Sequence, residues 1–198
     1  MSKKANKGFT LIELLLVVAI IAALSIIVIL ALNPAELLRQ ARDSSRISDM
    51  STLSSALSFY LANYSSPFIG TSSAAFGCYT DVQGLTNGTS SCITALTGPN
   101  TAVWSSTTPR ANNGLGWIPV DFTKISSGAP LGQLPVDPLG DDQKHMYFYH
   151  PSSTSLTFKL AADMESSKYS KDGPKDVEGP DGGPVDTMYE TGTALGTW

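Results

Sequence analysis

The sequence has little of what a catalytic or metal centre needs. Its two cysteines, Cys78 and Cys92, have 13 residues between them, with no CxxC pair and no Cys/His cluster. That pattern argues against a zinc site. His145 and His150 are the only histidines, and no Ser/His/Asp or Cys/His arrangement is readable from the spacing. Basic residues form no block in the body of the chain, so no nucleic-acid face is indicated. No internal repeat is present.

What is there is strongly asymmetric. The first eight residues, MSKKANKG, hold three lysines and no acid, and the next 24 are almost wholly apolar. Everything later is polar and mildly acidic. Taking three lysines from 13 basic residues leaves ten against 17 acids, a charge of about −7 on a chain that begins at Phe9. Residues 14–32 read LLLVVAIIAALSIIVILAL, 19 residues with one polar member, Ser25. As a helix they span roughly 28 Å, about one bilayer core. Lys3, Lys4 and Lys7 precede the run, and the positive-inside rule places them in the cytoplasm. A cleaved secretory signal would have a shorter run and a small-x-small site; here Asn33-Pro34 follows instead. The bland reading is a single-pass anchor. Outside the cytoplasm a Cys78–Cys92 disulfide is reasonable, the other reading being two unpaired thiols.

Helical periodicity resumes after Pro34. Met50, Leu53, Leu57, Tyr60 or Leu61, and Tyr64 recur at steps of three and four, an amphipathic stripe. Arg39, Arg42, Asp43, Arg46 and Asp49 fall largely off it. A helix from Phe9 to about Asn63 is expected, loosened at Pro34, which lacks a donor. Residues 65–127 are rich in Ser, Thr, Gly, Asn and Pro and read as a long connection with one or two short elements. Strand signals return at 146–150 and 155–164, where Leu156, Phe158 and Leu160 alternate with Thr157 and Lys159 as in a half-buried hairpin strand.

The most informative residue is Glu13. A carboxylate at the start of an apolar run costs several kcal/mol unless paired, and such a residue is functional by default. Its neighbours read Lys-Gly-Phe-Thr-Leu-Ile-Glu-Leu over residues 7–14. This resembles the class III signal of type IV prepilins and type II secretion pseudopilins. The resemblance implies cleavage between Gly8 and Phe9 by a prepilin peptidase, N-methylation of Phe9, and Glu13 as the assembly residue. Physically, a freed α-amino group is a cation at neutral pH and needs a partner in a dry core, as does Glu13.

The resemblance implies an α+β, pilin-like fold: a long N-terminal helix with a transmembrane first half, packed on a small antiparallel sheet. It divides the chain into a leader (1–8), a transmembrane or filament-core helix (9–34), an amphipathic helix half (35–64) and a globular domain (65–198). The implied partners are copies of the same chain, the peptidase, the pilus or secretion assembly machinery, and membrane lipid. The implied location is the inner membrane before assembly and the cell surface afterwards. Residues 134–140, Leu-Pro-Val-Asp-Pro-Leu-Gly, are similar to a stretch of major pseudopilins, and read equally well as a Pro-Gly turn. The acidic run from Asp172 through Asp176, Glu178 and Asp181 to Asp186 resembles the Asp/Gly-rich loop of those proteins, where calcium orders the loop. That implies calcium near Asp172, Asp176, Asp181 and Asp186; the alternative is a disordered, solvated tail. In a different functional class stands a single-pass protein with a ligand-binding ectodomain.

Overall fold

The computed structural model describes residues 8–71, 78–82, 103–140 and 145–196, without the side chains of residues 30, 31 and 103–105. The chain divides into two units, Met1–Leu38 and Arg39–Trp198.

The first unit is dominated by helix α1, Leu11–Leu32. Its stretch Leu11–Ile29 is long and apolar enough to cross a membrane, and none of it is buried within the chain. Ser25 does not disturb it, because its hydroxyl donates to the Ile21 carbonyl at 2.7 Å. The helix stops where Asn33 turns left-handed, with φ 41°. Asn enters that region more easily than most residues because its short polar side chain bonds locally. Helix α2, Pro34–Asn63, starts at once; a proline at the first helical position has no N–H to leave unpaired. The amides of Glu36 and Leu37 donate to the Asn33 carbonyl. A helix over residues 9–63 loosened at Pro34 was expected; the break falls there and is complete, giving two helices separated by Asn33.

In the second unit, α2 from Arg39 onward packs on a five-stranded sheet of order β2-β1-β3-β4-β5. The strands are β1 Cys78–Thr80, β2 Val103–Ser105, β3 Tyr147–Ser152, β4 Thr157–Ala162 and β5 Tyr189–Gly192. Neighbours β1/β3, β3/β4 and β4/β5 pair antiparallel, and β2 is added parallel to β1 at the edge. The β3–β4 hairpin sets Tyr149 opposite Leu160. Leu156 sits in its turn at φ 54° and is partly exposed, so it does not join the alternating core set.

One core lies between α2 and the sheet. Met50, Leu53, Leu57 and Tyr60 meet Tyr147, Tyr149, Phe158, Leu160 and Ala162 there. Trp117, Ile118, Val120 and Phe122 complete it, so the polar-looking stretch 65–127 supplies a share of the core as well as two strands and a 3-10 turn at Phe122–Lys124. Full burial of one such side chain stabilises by about 1.5–3 kcal/mol. Successive strand residues point to opposite faces, and the second face is buried too: Cys78, Val82, Met146, Phe148, Ala161 and Met188 cluster on it. That second cover corrects the half-buried reading of β4, because Lys159, expected in solvent, is 1% exposed.

Candidate functional site

The first candidate site is the start of α1. Thr10 has extended backbone (φ −82°, ψ 150°) and caps the helix: the Glu13 amide donates to its Oγ1 at 3.3 Å. In return one oxygen of Glu13, Oε2, accepts from the Thr10 amide at 2.9 Å and the Thr10 hydroxyl at 2.7 Å. This reciprocal arrangement fills donors that a helix N-terminus leaves open, and a carboxylate there also suits the positive end of the helix dipole. The other oxygen, Oε1, makes no hydrogen bond among the described residues. Phe9 is 81% exposed. A Cβ built on Gly8 would meet nothing within 4 Å among the described residues, so no packing crowds the backbone on that side. Gly8, Phe9 and Glu13 are thus neighbours at one accessible, anion-bearing helix start.

The second candidate is a buried charge network that the sequence reading misplaced. Asp43 and Arg46, expected off the packed stripe, are both fully buried. Arg46 donates through Nε and Nη2 to the two oxygens of Asp137, at 2.6 and 3.0 Å, and through Nη1 to Asp43 at 2.8 Å. Its Nη1 also pairs with Glu165, which in turn takes a two-pronged bond from Arg42. Asp43 accepts from the amides of Glu165 and Ser166. The fork of a guanidinium is what lets one cation serve three carboxylates. Bonds from Arg42 first, and from Arg46, hold the Glu165 carboxyl at about 2, well below its usual range. Asp137 belongs to the 134–140 run, whose turn is therefore tied to α2. Asp81 accepts from the amides of Asp137 and Tyr147, yet burial outweighs those bonds and pushes its pKa up to about 7. The partners of Arg46 lie 91 residues and more away along the chain, apart from Asp43, so no local pattern signals the network.

The tail is folded rather than a solvated strand of acids, but it does not bring its four aspartates together. Asp176 accepts from the amides of Asp172, Glu178 and Gly179. Asp181 accepts from Gly183 and Glu190, and Asp186 pairs with the Lys171 ammonium at 3.0 Å. Asp172 stands in a left-handed turn at φ 64°. Among the described residues no three His, Cys, Asp or Glu side chains gather as a metal ion would require. Calcium needs six to eight oxygens around one point, and this set does not provide that convergence. Cys78 is disulfide-bonded; Cys92 lies outside the described residues.

Residues 3–30 match the family model of the prokaryotic N-terminal methylation motif, the class III signal of type IV pilins and pseudopilins. No curated protein and no solved structure matches the chain.

Proposed function

We propose that this chain is the precursor of a type IV pilus-like filament subunit, cut between Gly8 and Phe9, N-methylated on Phe9, and assembled through Glu13. The observation that carries the reading is the methylation motif joined to a membrane-length helix whose whole surface is unburied. The subunit waits in the inner membrane as a single-pass protein and moves into a surface filament. Cleavage leaves an ammonium on Phe9, one residue before the helix cap. With Oε2 of Glu13 closing its own helix, Oε1 is free to receive the ammonium of a second copy. Each new pair neutralises two charges in a dry core and sets the axial register of the incoming helix. The role is structural, and no catalytic residue is assigned. Cys78 and Cys92 are paired in the mature domain.

A second reading is a pseudopilin of a secretion system. It is favoured by residues 134–140, where Asp137 is a built part of the domain through Arg46. Intact-mass analysis of subunits from sheared filaments tests the main reading. The expected mass lacks residues 1–8 and carries one added methyl. A filament subunit that still begins at Met1 sinks it. Processed protein with no surface filament, and loss of secretion on deletion, selects the pseudopilin instead.

A further inference from the structure

The region from Ser166 to Gly192 is acidic and short of apolar side chains, so the hydrophobic effect alone holds little of it. It is nevertheless folded: Ser166 bonds Asp43, Glu178 takes the Met164 and Lys171 amides, and the hydrogen bonds of residues 181–190 lead back to one buried cation. Lys159, in the middle of β4, points its ammonium at Glu190 of β5, with Nζ and Oε1 2.9 Å apart and both side chains 0% exposed. The other oxygen of Glu190, Oε2, accepts from the Val185 amide at 2.9 Å. The Gly183 backbone lies so close on the Glu190 carboxylate that a Cβ there would collide with it. Asp181 then fastens the same turn, taking the amides of Gly183 and Glu190. The order of connection is Lys159, Glu190, the 183–185 turn, Asp181.

We propose that Lys159 is the internal cation on which the last part of the Asp/Gly-rich tail, residues 181–190, is built, so that the tail orders without a bound metal ion. An ammonium here is otherwise unexplained. Taking it out of water costs several kcal/mol, and an apolar residue of similar volume would serve a plain core at least as well. The contact with Glu190 does not meet hydrogen-bond angles, and Nζ has no other hydrogen-bond partner among the described residues. The attraction is therefore Coulombic, as it is around a metal ion. His150, opposite Lys159 in the β3–β4 ladder, does not supply the charge: burial, then the neighbouring ammonium, push its pKa down to about 4. Lys171 on Asp186 is a second cation of the tail, but it is half-exposed and screened.

The test is limited trypsin digestion of the full chain in detergent, read at Lys171 and Lys175, with melting followed in millimolar calcium and in EDTA. The wild-type tail should resist cleavage equally in both. Lys159→Met strands the Glu190 carboxylate, and tail cleavage should rise at least about tenfold, since cleavage tracks the open population. Should that variant fail to fold, Glu190→Gln tests the same point. It keeps an acceptor for Val185 but drops the charge, and it should also speed cleavage. Calcium-dependent protection of the wild-type tail overturns the proposal, as do cleavage rates in both variants equal to wild type.

Discussion

On the proposed reading Glu13 caps its own helix with one oxygen and pairs with a second copy through the other, and the two tasks can be separated by one isosteric change. Glu13→Gln keeps an amide oxygen for the Thr10 donors and loses the charge. It should leave α1 and the membrane-inserted monomer intact while filament yield falls steeply; normal yield would mean that capping is all the residue does. Thr10→Val does the reverse, removing a cap worth about 1 kcal/mol while sparing the carboxylate, and should assemble. Arg46 is the shared cation of the buried network in the second unit. Arg46→Ala leaves Asp43, Asp137 and Glu165 without their shared cation and should cost about 3–5 kcal/mol in chemical denaturation. Arg46→Lys should recover only part, because an ammonium cannot reproduce the fork. Loss of less than about 1 kcal/mol on Arg46→Ala would show the network to be ornamental. Glu13 stands out in the sequence as a lone acid beside an apolar run, and its assembly role comes from the resemblance of residues 7–14 and is part of the proposal. Arg46 and Lys159 do not stand out, because what buries them comes from segments far along the chain.

Among the elements, the break between α1 and α2 is a matter of two residues. Asn33 takes the left-handed turn and Pro34 withholds a donor, so the hydrogen-bond ladder is interrupted once. Replacing both by alanine should favour a continuous helix, since a left-handed alanine costs about 1–2 kcal/mol. Hydrogen exchange over residues 33–37 should then slow markedly; unchanged exchange would place the cause of the break elsewhere. The proline was legible as the site of interruption. The β3–β4 hairpin was legible too, from aromatic and alternating residues. β5 was not, because Tyr-Glu-Thr-Gly has no apolar alternation and becomes a strand only through the β4 edge it pairs with. β1 and β2 are three residues each, too short for any period to show.

For the molecule as a whole, acid should weaken the second unit by a route that can be followed. His150 folds with its pKa lowered from 6.5 to about 4 by burial and then by Lys159. Its contribution is present above the unfolded value and is lost as pH falls from about 6.5 toward 4. Glu165, lowered to about 2, adds a loss of the same sign between about 4.5 and 2. Asp81 opposes them: raised to about 7, it favours the fold at low pH and loses that contribution as pH rises from 3.8 to 7. Melting temperature measured from pH 7 down to 3 should therefore change little at first and then fall. His150→Gln leaves Asp81 unopposed and should turn the level stretch between about 6.5 and 4 into a rise as pH falls, and the same slope in both proteins would remove His150 from the account. The first unit has no such dependence on its own chain, because Leu11–Ile29 buries nothing there. A helix of that kind is indifferent to which apolar medium surrounds it. Lipid tails and a bundle of like helices solvate it about equally, so exchange between them involves no large hydrophobic gain or loss. On the proposed reading the bilayer is then a store of subunits from which a polymer grows and into which it dissolves, with the direction left to whatever force is applied from outside.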